Sequence, residues 1–195
     1  NYLWILASAD DDVNPFNSGP LLVDQFLTYT VEVDVDLISD GKEVFIAGVL
    51  EHLEPAGVHS GDSTAVLPPF SINKKIINEI EQKSIQLAKA LNVKGLLNIQ
   101  FAVKEETLYI LEANPRASRT VPFISKAYRE PYVNYAVKVL LGKKKVTDFK
   151  MKPYKNGYSI KEPVFSFDKF PNVNKELGPE MKSTGESIYF IDDLM

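Results

Sequence analysis

Apolar and acidic residues alternate near the start of the chain and predict a β-hairpin. Glu32, Asp34 and Asp36 are each flanked by apolar residues, the period-2 pattern of a half-buried strand. Asp40-Gly41 is a strong hairpin turn, and the apolar run 44–50 is the expected return strand. Because an acidic alternating face is normally solvated, we expect the three acids to face water.

Helical spacing of apolar residues predicts two further elements. The clearer pattern covers about residues 73–91, and either Ser71 or Asn73 can cap its first turn. A second pattern covers 124–141 and is expected to be interrupted at Pro131. The order of strands and helices favours an α+β fold with an antiparallel sheet over a doubly wound parallel sheet.

A second predicted hairpin, within residues 95–113, brings oxygen-bearing side chains together. A turn centred on Glu106 places Gln100 opposite Glu112. Asn114 lies two residues beyond Glu112 and therefore projects from the same face. The opposite face is expected to carry apolar side chains, namely Leu97, Ile99, Phe101, Tyr109 and Leu111.

Carboxylate and amide oxygens are ligands that suit a hard cation such as Mg²⁺ or Mn²⁺. Gln100, Glu112 and Asn114 are therefore candidate metal ligands, and a solvated polar sheet face is the alternative. Arg116 and Arg119 follow at once, and their guanidinium groups suit phosphate or carboxylate recognition. Surface salt bridges are the alternative for this arginine pair.

Residues 57–62 form a glycine-bounded turn whose backbone N–H groups can approach a ligand. The turn is not a Walker loop, because no Gly-Lys-Ser/Thr is present. His59 lies within it, although a lone loop histidine is more often structural than catalytic. The sequence identifies no interaction partner for His52. A functional role for Glu32 needs evidence beyond its place in an alternating strand.

Composition narrows the class of protein. The 195 residues include no cysteine, which excludes a disulfide scaffold, a thiol nucleophile and thiolate-bound zinc and fits a cytosolic protein. Hydrophobic residues make up 45% and the net charge is −4, values that argue against disorder and against a nucleic-acid partner. No apolar run has the roughly 18 residues of a membrane span, and no signal peptide is visible.

Five motifs together resemble the large subunit of carbamoyl phosphate synthetase, and the match extends over roughly residues 20–190. The motifs are Thr30–Asp36, Glu51–Asp62, Asn98–Val103, Leu111–Lys126 and Leu177–Glu186. Gly-Val-His-Ser-Gly-Asp together with Arg-Thr-Val-Pro-Phe is similar to the second ATP-grasp half of that subunit, which phosphorylates carbamate. The resemblance implies the C-terminal lobe of an ATP-grasp fold.

The resemblance also implies roles for particular residues. Gln100, Glu112 and Asn114 would hold Mg²⁺ or Mn²⁺ against the phosphates of ATP, and Arg116 and Arg119 would face the reacting phosphate and carbamate. The remaining implied nucleotide contacts are the adenine hinge Asp24, Gln25 and Leu27, the ribose-binding Glu32, and the loop Gly57, Val58, His59 and Ser60. The reaction would transfer the γ-phosphoryl group of ATP to a carbamate oxygen.

The implied parent is a cytoplasmic ligase that makes carbamoyl phosphate for arginine and pyrimidine biosynthesis. Its other parts would be a glutaminase small subunit and the remainder of the large subunit. Three ranges follow: 1–19, which matches poorly; 20–142, the lobe with the nucleotide and metal site; and 143–195, an extension toward a regulatory domain. Since the chain lacks an initiating Met and the upstream ATP-grasp subdomain, we expect a fragment that is inactive alone.

Two other functions remain open at this point. A different ATP-grasp ligase, such as a biotin carboxylase relative, would share the metal hairpin. A non-catalytic assembly module would use the same lobe only to pack against partner domains. Metal-dependent nucleotide binding would distinguish the assembly module from the ligases.

Overall fold

A computed structural model of the chain describes residues 27–151, 157–170 and 172–192, which form one antiparallel sheet with three α-helices. The strands are β1 (Val31–Asp40), β2 (Val44–His52), β3 (Ala65–Leu67), β4 (Lys94–Lys104), β5 (Thr107–Asn114), β6 (Tyr158–Val164) and β7 (Gly185–Ile191). The helices are α1 (Lys74–Ala90), α2 (Thr120–Tyr128) and α3 (Tyr132–Leu140). Within these described ranges, every helix is too short or too polar to cross a membrane.

The strand order across the sheet is β5-β4-β1-β2-β3-β6-β7. Strand β1 is an interior strand, which pairs with β4 on one side and β2 on the other. Strand β3 is short: Glu51 and His52 of β2 pair with it on one side, and three residues of β6 pair with it on the other. Strands β6 and β7 belong to the expected extension 143–195, yet they continue the same sheet. The α+β, antiparallel prediction is confirmed.

Two apolar clusters cover the two faces of the sheet. On one face, Ile76 and Ile80 of α1 pack with Val33 and Val35 of β1. On the other face, α2 and α3 contribute buried residues such as Phe123 to a cluster with strand residues of β1, β2 and β3. Strand β1 is therefore enclosed by helices on both faces, which is why most of its side chains are buried.

The prediction that the acids of β1 face water is wrong for two of the three. Asp34 is 4% exposed and Asp36 is 1% exposed. Both alternate with Val33 and Val35 and therefore point to the face that carries α2 and α3. The alternating pattern predicts the strand, but it cannot show that residues far along the sequence, in α2 and α3, cover its acidic face.

The helix predictions are confirmed with small shifts of their ends. Asn73 caps α1, because its side chain accepts a hydrogen bond from the Ile76 N–H group at 3.0 Å. The pattern at 124–141 is two helices, and the interruption at Pro131 is present between them. Arg129 ends α2 in the left-handed region, with φ of 53°.

The β4–β5 hairpin has the predicted pairing of Gln100 with Glu112. The turn is centred between Glu105 and Glu106, which both have positive φ, and not on Glu106 as assumed. A β-bulge after Gln100 then shifts the pairing by one residue and brings Gln100 opposite Glu112. On the turn side of the bulge, the turn itself places Ile110 opposite Phe101, so the expectation that Tyr109 shares the face of Phe101 is wrong. Strand β5 is an edge strand on which Tyr109, Ile110 and Leu111 are exposed.

Candidate functional site

A cleft of about 650 Å³ lies on the face of the sheet that carries α2 and α3. Its walls are the middle of β4, the end of β5, the loop before α2, the turn at residues 59–61, β6 and the segment leading into β7. The structure brings most of the predicted site residues together here: His59, Ser60, Gln100, Glu112, Asn114, Arg116 and Arg119.

The three candidate metal ligands lie side by side, as the pairing requires. Asn114 Nδ2 donates a hydrogen bond of 2.8 Å to Glu112 Oε1. Gln100 is the cross-strand partner of Glu112, and its Nε2 lies 3.4 Å from Ser60 Oγ. The two amide groups thus use their nitrogens for protein contacts, which leaves their oxygens for another partner.

The cleft offers oxygen ligands from one carboxylate and two amides to a divalent cation. The described part of the chain holds no cluster of three or more His, Cys, Asp or Glu suited to a metal ion. Glu112 supplies one carboxylate, and Gln100 and Asn114 supply neutral amide oxygens. An all-oxygen set of this kind fits Mg²⁺ or Mn²⁺ that takes its remaining ligands from water and phosphate.

Both candidate arginines lie in the loop that leads from β5 to α2. Arg116 Nη1 donates to the carbonyl of Ala117 at 3.1 Å, and Arg119 contacts the sulfur of Met181. Among the described residues, basic side chains lie within 4 Å of a carboxylate at His52–Asp34 (3.4 Å) and Lys75–Glu106 (3.9 Å), so neither arginine is paired with a carboxylate there. Their charges remain available to an anion in the cleft.

The turn at residues 59–61 is held from two sides. The Nδ1 atom of His59 accepts a hydrogen bond from the Gly61 N–H group at 3.0 Å, so this histidine shapes the turn. A Cβ atom on Gly61 would lie 2.7 Å from the sulfur of Met181. A larger residue at this position would therefore require the flexible side chain of Met181 to shift.

Asp62 joins the same turn to the segment before β7. Its two carboxylate oxygens accept hydrogen bonds from the N–H groups of Lys182, at 2.7 Å, and Ser183, at 2.8 Å. Burial works to raise the pKa of Asp62, but these hydrogen bonds from Ser183 and Lys182 outweigh it and leave the pKa below its ordinary value.

The remaining predicted nucleotide contacts lie outside the cleft lining. Glu32 Oε1 accepts a hydrogen bond from the Gly57 N–H group at 3.0 Å, and burial raises the pKa of Glu32 despite that bond. Leu27 lines a separate cavity of about 460 Å³, and Val58 donates its N–H group to the carbonyl of Pro55. Asp24 and Gln25 fall outside the described residues.

Lys161 of β6 is a cleft residue that sequence reasoning missed. It is 2% exposed, and its Nζ donates to the carbonyl of Ser60 at 3.1 Å. Burial lowers the pKa of Lys161, while the nearby carboxylates, Glu186 first among them, act in the opposite direction. No local sequence pattern marks Lys161. The available signal is the motif 177–186, which contains Glu186, the carboxylate with the largest effect on Lys161.

Two buried acids of β1 also escaped sequence reasoning. Asp34 Oδ2 lies 3.4 Å from Nε2 of His52, the histidine for which no partner was expected. Asp36 accepts hydrogen bonds from Ser118 and Thr120 at the start of α2. Burial raises the pKa of Asp36 to about 6, although these hydroxyl groups act against the rise.

Comparison with protein families gives one match, which covers most of the chain. The model of the family described as "Carbamoyl-phosphate synthase L chain, ATP binding domain" matches residues 4–146. This range begins inside the segment 1–19, for which we expected a poor match.

Several curated relatives share about half of the residues. The carbamoyl phosphate synthase large chain of Pasteurella multocida is 50% identical over 175 residues, and that of Methanobrevibacter smithii is 56% identical over 173 residues. The "large chain, C-terminal section" of Aquifex aeolicus is 46% identical over 195 residues. These alignments cover 89%, 87% and 91% of the chain, but only 16%, 16% and 36% of the relatives.

Solved structures with much lower identity share the fold. A biotin carboxylase domain of a single-chain bacterial carboxylase superposes with a TM-score of 0.62 at 15% identity and covers 73% of this chain and 34% of that one. A biotin carboxylase subunit of pyruvate carboxylase gives 0.63 at 13% identity, with 84% and 42% covered. The described residues thus have the architecture of an ATP-grasp lobe. By its family match, the chain belongs to the ATP-binding domains of the carbamoyl-phosphate synthase L chain.

Proposed function

We propose that the chain is a piece of a carbamoyl phosphate synthase large chain and that it comes from the half that phosphorylates carbamate. The reaction is transfer of the γ-phosphoryl group of ATP to a carbamate oxygen. Relatives named as C-terminal sections of the large chain, from Aquifex aeolicus and Methanocaldococcus jannaschii, support the choice of half. The motifs around His59 and Arg119 support it independently.

The observation that carries this proposal is the shared cleft. One carboxylate and two amide oxygens lie beside two arginines that form no ion pair among the described residues. Phosphoryl transfer needs positioning and charge neutralisation and no covalent nucleophile. A cleft with these groups, in a chain with no cysteine, meets both requirements.

Gln100, Glu112 and Asn114 would hold Mg²⁺ or Mn²⁺, which when bound neutralises charge on the nucleotide phosphates. The carboxylate of Glu112 is kept in place by the amide of Asn114. Arg116 and Arg119 bind and orient the transferred phosphoryl group and the carbamate, because each guanidinium donates several hydrogen bonds from a fixed plane.

The remaining predicted residues are proposed to bind the nucleoside. Leu27, together with Asp24 and Gln25, contacts adenine, and Glu32 accepts hydrogen bonds from the ribose hydroxyls. Glu32 already holds the Gly57 N–H group, which links the ribose contact to the loop 57–60. In the parent enzyme, a glutaminase small subunit supplies ammonia, and the product enters arginine and pyrimidine synthesis in the cytoplasm.

The other ATP-grasp ligases receive less support. The likeness to biotin carboxylases is a likeness of fold at 13–15% identity, whereas the family match and the relatives at about 50% identity concern carbamoyl phosphate synthases. The assembly module is separated from the enzyme by its response to metal and nucleotide.

The test is a calorimetric titration of the chain with ADP in the presence of Mn²⁺. We expect weak binding to the wild type, because the chain spans only 16% of the length of its Pasteurella multocida relative, and a loss of at least about tenfold in Glu112→Gln. Glu43→Gln is the matched control, since Glu43 is an exposed acid in the β1–β2 turn. Equal or absent responses in the wild type and Glu112→Gln would favour the assembly module.

A further inference from the structure

Asp36 is a buried carboxylate that connects the centre of the sheet to the loop carrying the two arginines. Its Oδ1 accepts hydrogen bonds from Ser118 Oγ at 2.7 Å and from Asn98 Nδ2 at 3.2 Å. Its Oδ2 accepts one from the hydroxyl of Thr120. Arg119 therefore lies between two residues whose side chains are both bound to one carboxylate.

Ser118 passes this restraint to the start of α2. Its Oγ atom lies 3.2 Å from the N of Thr120 and 3.3 Å from the N of Val121, and both N–H groups donate to it. Arg119 occupies the N-cap position but makes no capping hydrogen bond with its own side chain. A guanidinium has only donors and cannot cap a helix N-terminus, so the neighbouring serine supplies the cap, and Arg119 lines the cleft.

Docking of α2 onto the sheet does not require a carboxylate at this position. Phe123 and Ile124 are fully buried against the sheet and already supply apolar contact. Burial of a carboxylate opposes folding unless hydrogen bonds compensate it. Three donors to Asp36 offset this cost. They are Asn98 of β4 and the residues on either side of Arg119, Ser118 and Thr120. The arrangement fixes the loop 115–119 more specifically than apolar packing does.

We propose that Asp36 is a positioning residue, which holds the loop 115–119 so that Arg116 and Arg119 present their guanidinium groups to the cleft. The identification of the ligand of those arginines as the phosphate groups of the nucleotide rests on the proposed function. The restraint on the loop does not rest on it, because the hydrogen bonds to Asp36 are present without ligand.

The test uses the 195-residue chain and two nuclear magnetic resonance measurements. Backbone ¹⁵N relaxation at residues 116–121 reports the order of the loop, and the Nε–Hε signals of Arg116 and Arg119 report titration with inorganic pyrophosphate. We expect Asp36→Asn to increase loop motion and to lower pyrophosphate affinity by about tenfold, since small misplacements of binding groups have large effects. Ser118→Ala should act in the same direction.

Two control variants separate positioning from general stability. Ser118→Thr keeps the hydroxyl and should restore both readouts to within about twofold of the wild type. Ile80→Val removes one methyl group from a fully buried side chain of α1, on the face of the sheet opposite the cleft. This change weakens the fold away from the cleft, so it should leave loop order and pyrophosphate affinity unchanged.

The outcomes are distinguishable. Unchanged loop order in Asp36→Asn overturns the proposal, whatever pyrophosphate does. Where Arg116→Lys and Arg119→Lys themselves weaken pyrophosphate binding, an affinity loss in Asp36→Asn no larger than that of Ile80→Val also overturns it. Should Asp36→Asn not fold, Ser118→Ala against Ser118→Thr gives the same decision. If the loop loosens but Arg116→Lys and Arg119→Lys bind pyrophosphate as the wild type does, the positioning role stands and the proposed phosphate role of the arginines falls.

Discussion

Asn114 Nδ2 donates a hydrogen bond of 2.8 Å to Oε1 of Glu112, two residues earlier on β5. Alternate residues of a strand share a face, so the two side chains are neighbours along the edge of the sheet. The bond orients the carboxylate and leaves the amide oxygen of Asn114 directed to the same space. Strand geometry alone therefore assembles two of the three proposed metal ligands.

The first prediction concerns this pair. Asn114→Ala should lower the affinity for ADP with Mn²⁺ by about tenfold, because Glu112 loses its orienting partner and the site loses an oxygen. Isothermal titration calorimetry on the purified chain measures the change. Asn78→Ala, an exposed asparagine of α1, is the control. Affinities that agree between the two variants would show that Asn114 takes no part in metal binding.

The second prediction is a pH dependence that belongs to Asp36. Burial raises the pKa of Asp36 to about 6, whereas the same carboxyl group titrates near 4 in an unfolded chain. Between these values the folded protein holds a proton that the unfolded chain has released. The contribution of Asp36 to stability is therefore complete below about pH 4 and is lost as the pH rises through 6.

Urea denaturation at several pH values checks this sign. The stability of the wild type relative to Asp36→Asn should fall between pH 4 and pH 7, by at most about 3 kcal/mol for a shift of this size. Other carboxyl groups cancel in the difference, because both proteins contain them. A difference that is constant over this range, or that grows with pH, would contradict the raised pKa.

The third prediction tests the packing of α2 on β2. A Cβ atom on Gly48 would lie 3.1 Å from two side-chain carbons of Ile124, which is fully buried. Gly48→Ala should therefore destabilise the fold by about 1–3 kcal/mol through overpacking. Ile124→Val removes one methyl group and on its own should cost about 0.5–1.5 kcal/mol.

The double variant completes this cycle. Because the methyl group removed from Ile124 makes room for the new Cβ, the two changes together should destabilise less than the sum of the single changes. Thermal or urea unfolding of the four proteins gives the coupling energy. Additive effects would mean that Ile124 yields to the new methyl group without strain.

The fourth prediction concerns Asp62, which holds the segment before β7. Asp62→Asn keeps one acceptor oxygen and loses the other, so one of the N–H groups of Lys182 and Ser183 loses its partner. The expected loss of stability is about 1–3 kcal/mol. The pKa of Asp62 is lowered in the folded protein, so its contribution is present above its unfolded pKa and is lost as the pH falls through the folded one. The stability difference between the wild type and Asp62→Asn should therefore shrink as the pH falls. A difference that stays constant with pH would contradict the lowered pKa.

The strands and the metal hairpin could be predicted because their signals are local. Alternation and turn residues specify the β4–β5 hairpin, and a strand period of two then places Asn114 beside Glu112. The pairing of Gln100 with Glu112 was also predicted, although a bulge and not the assumed turn centre produces it. Proline at 131 marked the break between α2 and α3 for an equally local reason.

The environment of Asp36 and the position of Lys161 could not be predicted in this way. Asp36 receives its partners Ser118 and Thr120 from more than 80 residues away, and Lys161 reaches Ser60 across 101 residues. In a single sequence, an acid in an alternating strand and a lysine in a short strand have the pattern of solvated residues. Only the order of strands in the sheet brings Lys161 into the cleft and Asp36 against Ser118 and Thr120.

The short strand β3 has a mechanical consequence for that cleft. It joins β1, β2, β4 and β5 to β6 and β7 through two pairs of residues on one side and three on the other. The wall that carries Glu112 and the wall that carries Lys161 thus meet at a narrow waist in the sheet. Ala65 and Leu67 at this waist are almost completely buried, and Ala65 is the cross-strand partner of Lys161, so we expect a change of side-chain volume there to move the wall that carries Lys161 and to alter the width of the cleft.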